Sequence, residues 1–341
     1  MEILEKLPGV LLPWYDQSHR ELPWRQTQDP YRIWISEIML QQTRVEAVKG
    51  YYARFLETCP DVATLANTPD EVLHKLWEGL GYYSRVRNLK KAAMVIMQEY
   101  GGVFPVTQEQ ILKLPGIGDY TAGAICSIAY QLPTPAVDGN VLRVVSRLTA
   151  DDTPIDDLKY KRQVRDRLAQ IYPERAGDFT QSLMELGATL CGPNRKPGCE
   201  VCPCNAFCKA HQTGKAESLP MKTAKKPRRT EEKTVFILRC AERYALHKRP
   251  DTGLLAGLWQ FPDCSGRGDV TWMLAKVEQM GLKPKEITKT VERKHIFTHI
   301  TWEMCGVYVE VAEENEAFTW LTLEQIQTLA ALPTAFRQFL A

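Results

Sequence analysis

Over the first two thirds of the chain, apolar residues recur three and four positions apart, as in Ile33, Trp34 and Ile38 and later in Val62, Leu65, Val72, Leu73 and Leu76. That spacing lines up side chains on one face of a helix, and it predicts an all-α region from about residue 2 to residue 208. Breakers part the helices. Thr68-Pro69-Asp70-Glu71 reads as a helix start, with Thr68 or Asp70 as the cap, and Gly101-Gly102 ends the helix that carries Lys90 to Tyr100. From His211 to Lys233 the chain turns polar and basic and loses its large apolar residues, the composition of an exposed linker. Beyond it the period changes. Thr234 to Cys240, Tyr244 to His247 and Thr301 to Val309 are β-rich runs, while Thr271 to Met280 and Leu323 to Leu329 are short helical patterns. The expected organisation is an all-α domain over 1–210, a linker over 211–233 and an α+β domain over 234–341. No internal repeat is visible.

At 341 residues, 44% hydrophobic and 25% charged, the chain has the composition of a soluble globular protein, long enough for about two domains with cores of their own. No run of eighteen or more apolar residues suits a membrane span. The start carries Glu2 and Glu5 and lacks a cleavage-site pattern, so a cytoplasmic location is expected. A formal net charge of +2 does not announce a nucleic-acid partner, although Lys222 to Arg229 is locally basic. Ten cysteines would suggest disulfides in a small secreted chain. Here five fall between Cys191 and Cys208 and the rest are scattered, which points to a metal or iron–sulfur site.

Two local patterns carry candidate chemistry. Leu114-Pro115-Gly116-Ile117-Gly118, followed by the helical run Tyr120 to Ala129, is a tight glycine hairpin between helices. Its glycines let the backbone approach another surface and leave amides at a helix N-terminus, which suits a phosphate; a plain packing turn has the same composition. Twenty residues after Gly118, Asp138 precedes a new apolar-periodic helix in Val137-Asp138-Gly139-Asn140.

A hairpin with an aspartate at that distance and four downstream cysteines resembles the helix-hairpin-helix DNA glycosylase superfamily. More closely, Trp34 to Thr43, Gly79 to Arg85 and Tyr120 to Ile125 are similar to the adenine DNA glycosylases of the MutY type, and the resemblance runs over essentially the whole chain. It implies a helix-hairpin-helix catalytic domain with an iron–sulfur loop, a Nudix-like C-terminal domain, and a base-excision-repair hydrolase. The expected substrate is adenine mispaired with 8-oxoguanine or guanine in double-stranded DNA, with the enzyme acting as a monomer and no membrane involved.

Breaking a C–N glycosidic bond to adenine needs a general acid for a ring nitrogen and a carboxylate facing the cationic sugar. Glu37 lies within the apolar run Ile33 to Leu40, where burial raises a carboxyl pKa and favours the acid form. A lone glutamate on a helix more often faces water, and it is the resemblance that places the proton donor at Glu37. Asp138 is equally a helix N-cap, a role in which it stays ionised and which is compatible with stabilising the sugar. Asn140 is placed to hold it. Where strand-cutting relatives carry a lysine two residues after the second hairpin glycine, this chain has Tyr120, which implies a monofunctional enzyme with Tyr120 supporting the sugar cation.

The resemblance extends to DNA contacts, since the adenosine must leave the helix. Gln42 and Tyr82 match wedge and intercalating positions, Leu40 and Thr43 lie beside the oxidised guanine, Arg25 lies near the everted adenine, and Gly116 and Gly118 meet the backbone. Taken alone, Tyr82 and Tyr83 are as readily core or surface aromatics. Spacing leaves zinc and iron–sulfur both open for Cys191, Cys199, Cys202 and Cys208; the resemblance implies a structural [4Fe–4S] cluster presenting Arg195 and Lys196 to phosphates. The first gap holds seven residues rather than the usual six, and Cys204 is a fifth thiol that could substitute. In the last domain, Gly253 to Pro262 resembles the Nudix fold, yet the R-E-x-x-E-E metal-binding run is missing. Recognition rather than pyrophosphate cleavage is therefore expected, with Phe297-Thr298-His299 inspecting the oxidised guanine. Three rivals remain: a glycosylase for thymine or uracil mismatches, a catalytically silent iron–sulfur DNA-binding protein, and a free-nucleotide hydrolase.

Overall fold

The computed structural model describes residues 2–193, 196–224 and 227–340; Arg195, and Lys225 and Lys226 of the basic stretch, lie outside the described residues. The chain forms two compact units, one of residues 1–67 with 87–224 and the other of residues 68–86 with 225–341. The first is helical and the second contains the sheet, the two classes that the hydrophobic periods predict.

In the first unit α1 (Glu2–Glu5), α2 (Leu7–Ser18), α3 (Pro30–Leu40), α4 (Val45–Thr58) and α5 (Val62–Asn67) come before the 68–86 stretch. That stretch holds α6 (Asp70–Leu76) and the first turn of α7 (Ser84–Glu99). After it come α8 (Gln108–Leu112), α9 (Asp119–Tyr130), α10 (Gly139–Thr149), α11 (Leu158–Ala169), α12 (Ala176–Thr189) and α13 (Lys209–Gln212). Short polar side chains start several of them: Asp29 accepts from the Tyr31 N–H, Thr107 from Gln110, Asp138 from Val141 and Asp157 from Tyr160. Leu7, Leu11, Val141, Val145, Val164, Phe179 and Leu183 form one contiguous core. Helix α3 packs on α9, and α12 packs on both α9 and α10, so that these four helices surround whatever polar groups they bury.

The start of α6 corrects one expectation. The cap position is Pro69, which has no side chain able to cap, and Thr68 and Asp70 flank it. Pro69, with ψ 146, already sets the entry to the helix, and Asp70 and Glu71 meet the positive end of the helix dipole from within its first turn. The termination of α7 agrees with the pattern: Gly101 and Gly102 both have positive φ, and the Gly102 N–H bonds the Ile96 carbonyl at 3.0 Å.

The second unit holds β1 (Arg229–Cys240), β2 (Arg243–Lys248), β3 (Trp259–Gln260), β4 (Asp263–Ser265), β5 (Pro284–Ile296), β6 (Ile300–Val311) and β7 (Thr319–Thr322), with α14 (Val270–Gln279), α15 (Leu323–Leu329) and α16 (Thr334–Arg337). Its sheet runs β3-β2-β1-β6-β5, β4 pairing with β1 and β7 with β2. Strands β1 and β6 are parallel and central, so each buries both faces. Val235 and Ile237 point into one cluster with Ile326 and Phe336, while Phe236 and Leu238 point into the other with Met273 and Val277. Helices thus cover both sides.

Strand β1 begins at Arg229, inside the stretch with linker composition. Its first residues pair with Ile300 to Glu303 through backbone bonds, which polar side chains do not prevent. Residues 68–86, helical and otherwise unremarkable in pattern, join this unit through Lys75 Nζ donating to the Ala330 carbonyl at 3.2 Å and Leu332 N–H donating to Glu78 at 3.0 Å.

Candidate active site

Helix α3 buries Ile33, Trp34, Ile35, Ser36, Ile38 and Met39, and Glu37 among them is 5% exposed. A carboxyl so placed needs partners. The Tyr120 hydroxyl, from the first turn of α9, donates to Glu37 Oε2, and the same oxygen of Tyr120 lies 4.0 Å from Met184 Sδ on α12. Burial pushes the Glu37 pKa up to about 7; the bond from Tyr120 pulls it down, the Asp138 charge raises it, and Arg25 lowers it. Tyr120 stays a phenol, held well above its ordinary range by burial and then by the charges of Glu37 and Asp138.

Asp138 caps α10 with Oδ1 on the Val141 N–H at 2.8 Å, while Oδ2 accepts from Asn140 Nδ2 at 2.6 Å. Burial raises its pKa, and these bonds pull the other way. With both oxygens accepting, the group has the pattern of a carboxylate. Asn140 is itself oriented, because Arg143 Nη2 donates to its Oδ1 at 2.7 Å and leaves its amide N–H for Asp138. Adjacent to α10 the backbone must come close: a Cβ at Gly187 would lie 2.7 Å from Asn140 Cβ.

Two residues of this region, Glu185 and Arg20, carry almost no signal in a local pattern. Glu185 of α12 is fully buried and binds two arginines, Arg20 through Nε and Nη2 at 2.7 Å each and Arg25 through Nη2 at 2.7 Å. Burial alone would raise its pKa, but the bonds from Arg20 and Arg25 overcome that and hold it near about 2. The guanidinium of Arg25 also lies 5.5 Å from the Tyr15 ring centroid. Its orientation comes from a residue 160 positions away, and an acidic residue between Met184 and Leu186 on an apolar helix is the one clue that the sequence offers.

At the surface of the same unit, the hairpin leaves Gly116 and Gly118 exposed, with Gly118 at the N-cap of α9. Gly116 has φ +78, and a Cβ there would sit 2.6 Å from Asn88 Cβ; at Gly118 nothing lies within 4 Å. Leu40 ends α3 half-buried, Gln42 follows exposed at φ 59, and the Thr43 N–H closes the turn on the Leu40 carbonyl at 3.3 Å. In the second unit Tyr82, 47% exposed and also at positive φ, shares a hydrogen bond of 3.1 Å with Thr298 Oγ1. Phe297, Thr298 and His299 form the turn between β5 and β6, closed by Phe297 N–H to the Ile300 carbonyl at 2.8 Å. Phe297 packs edge-on against Trp302, which leaves Thr298 and His299 exposed. The geometry therefore brings Glu37, Tyr120, Asp138, Asn140 and Arg25 into one region of the helical unit, and Tyr82 and Thr298 into contact in the other.

Beside α10, Cys191, Cys199, Cys202, Cys204 and Cys208 line one small cavity, with Leu148, Leu186 and Leu190 as apolar wall. Arg147 Nη1 lies 3.2 Å from Cys191 Sγ, a cation set beside a thiol. Cys204 is fully buried in the helical core, unlike the other four.

Sequence and structure comparisons agree with this picture. Residues 35–173 match the HhH-GPD superfamily of base excision DNA repair proteins, and residues 234–341 match the NUDIX domain. The adenine DNA glycosylase of Homo sapiens is 34% identical over 97% of this chain and 72% of its own length. That of Buchnera aphidicola subsp. Baizongia pistaciae is 34% identical over 95% of this chain and 93% of its own. Among solved structures, a thermostable thymine-DNA glycosylase superposes with TM-score 0.57 at 30% identity, covering 62% of this chain and 98% of that one. A helical unit with this hairpin and a buried acid beside a capping aspartate defines a helix-hairpin-helix glycosylase of base excision repair, here with a Nudix-like domain. The chain belongs to the adenine DNA glycosylase family.

Proposed function

We propose that this protein hydrolyses the N-glycosidic bond of adenine mispaired with 8-oxoguanine or guanine in duplex DNA, without cutting the strand. The observation that carries the reading is the Tyr120 hydroxyl bonded to Glu37 with the charge of Asp138 felt by both. Glu37, protonated up to about pH 7, gives its proton to a ring nitrogen of adenine as the C–N bond breaks. The carboxylate so formed takes a proton from the water that adds to the sugar carbon, and Glu37 returns to its starting form. Asp138, held in place by Asn140, stabilises the oxocarbenium-like sugar. Tyr120, hydroxyl and not lysine, supports that cation and forms no Schiff base. Arg25 lies beside the everted adenine.

In the helical unit Leu40, Gln42 and Thr43 contact the mispair, and Gly116 and Gly118 offer amides to a phosphate; Tyr82 is an intercalating residue. Phe297, Thr298 and His299 inspect the oxidised guanine. Pyrophosphate hydrolysis by the second unit is disfavoured because α14 carries Glu278 as its one acidic residue. Among the described residues no three Cys, His, Asp or Glu side chains converge on one ion. Thiols spread around an apolar-walled cavity suit a [4Fe–4S] cluster, with Cys191, Cys199, Cys202 and Cys208 as ligands and Cys204 as a core thiol. Bound there, the cluster would hold the 191–208 loop in shape.

Single-turnover assays on duplexes with A:8-oxoguanine, A:G and T:G pairs, developed with alkali, test the reading. Adenine release from the first two is expected, and Glu37→Gln is expected to abolish release while leaving binding nearly intact. Release of thymine, or turnover by Glu37→Gln, would overturn it.

A further inference from the structure

The turn Gly79–Tyr82 contains three residues with positive φ: Gly79 at 99, Gly81 at 70 and Tyr82 at 48. Glycine adopts such angles freely, but a bulky aromatic residue there is uncommon and costs on the order of 1 kcal/mol, so its surroundings must impose the conformation. Arg85, 8% exposed, accounts for much of that imposition. Its Nη2 donates to the carbonyls of both Leu80 and Gly81 at 3.0 Å, and its own N–H bonds the Tyr82 carbonyl at 2.9 Å. The Trp77 indole N–H adds a second donor to the Gly81 carbonyl at 3.1 Å. The guanidinium carbon stands 5.2 Å from the Trp77 ring centroid and 5.7 Å from that of Tyr82, within cation–π range of both.

We propose that Arg85 is a positioning residue for adenine excision: it fixes the turn and braces the Tyr82 ring, so that the ring is presented to the DNA before contact. This rests on the reading above that Tyr82 enters the duplex. A flexible Tyr82 would have to be ordered on binding, at a cost that a braced ring has already met. Lysine does not replace Arg85: an ammonium has donors enough for two carbonyls, but it lacks the planar face that the guanidinium presents to the Trp77 and Tyr82 rings while its Nη2 donates. The brace acts through Tyr82 and leaves Glu37 and Asp138 untouched.

The test is a double-mutant cycle in the full-length protein with Tyr82→Leu, Arg85→Lys and the pair, measuring single-turnover excision opposite 8-oxoguanine and opposite guanine. Fluorescence of a 2-aminopurine placed beside the 8-oxoguanine reports ring insertion. Arg85→Lys is expected to lower excision by roughly tenfold, in line with loss of a desolvated cation–π contact and a hydrogen bond, and to weaken the fluorescence change. In the Tyr82→Leu background it should add nothing. Additive losses, or an unchanged fluorescence response in Arg85→Lys, would overturn the positioning role. If Tyr82→Leu by itself changes neither excision nor fluorescence, the reading of Tyr82 fails first and takes the brace with it. Should Arg85→Lys fold poorly, Gly81→Ala strains the same turn at φ +70, where space around a Cβ is open, and is expected to give the same non-additivity.

Discussion

Glu37 shows how far one residue's chemistry depends on its surroundings. A carboxyl with an ordinary pKa of 4.5 is raised to about 7 by burial. Excision is therefore expected to fall as pH rises through about 7, since the deprotonated form has no proton to give. Tyr120→Phe removes a bond that favours the carboxylate, so the pKa moves further up and the alkaline limb of the rate profile shifts to higher pH. An unmoved limb in single-turnover rates would mean that another group titrates. Glu185 is the opposite case, buried but held ionised at about 2 by Arg20 and Arg25. Its folded pKa lies below the unfolded value of about 4.5, so its contribution to stability is present above that pH and is lost as pH falls toward 2. Glu185→Gln leaves two arginines short of their counter-charge and is expected to cost about 3 kcal/mol, seen as a drop of several degrees in Tm. Glu37 was legible because a family motif surrounds it; Glu185 was not, since no local pattern encodes a pair of partners 160 and 165 residues away.

Among the elements, the hairpin before α9 invites a comparison within one motif. Gly116→Ala forces a side chain into the left-handed region and into Asn88, at a cost of about 1–2 kcal/mol from the backbone alone. Gly118→Ala meets open space at φ −107 and should leave Tm nearly unchanged. Thermal unfolding checks the first difference, and DNA affinity at fixed salt checks whether the Gly116 variant also binds more weakly; equal effects at both glycines would contradict this account. The helices and the central strands were readable from period and composition. Strand β5 was not: its Pro284 to Ile296 sequence is rich in charge and mostly exposed, since it pairs with β6 and lies at the sheet edge. Edge strands carry charge for this reason, and a hydrophobic pattern does not reveal them.

For the molecule as a whole, the division into two units changes how a truncation should be planned. Ending the chain at Lys233 would cut β1 part-way, because that strand starts at Arg229. It would also strip residues 68–86 of Ala330, Leu332 and Lys248, the last paired with Glu71. A chain ending before Arg229 is expected to retain adenine excision while losing preference for 8-oxoguanine over guanine, and its rate should drop as the Tyr82 turn loosens. Full discrimination by the shortened chain would place the inspection of the opposite base elsewhere.

By itself the sequence determined the periodicities that make one unit helical and the other sheet-containing, the cap at Asp138, the glycine hairpin, and the thiol cluster around Cys199 and Cys202. Each of these is a property of a few neighbouring residues. Tertiary structure alone decided that Glu37 is dry enough to hold a proton and that Tyr120, 83 residues later, reaches it. It likewise decided that Glu185 clamps Arg20 and Arg25, and that residues 68–86 belong with the sheet. Burial and charge pairing are set by which distant surfaces meet, and a local pattern says only that a face must be covered, not by what.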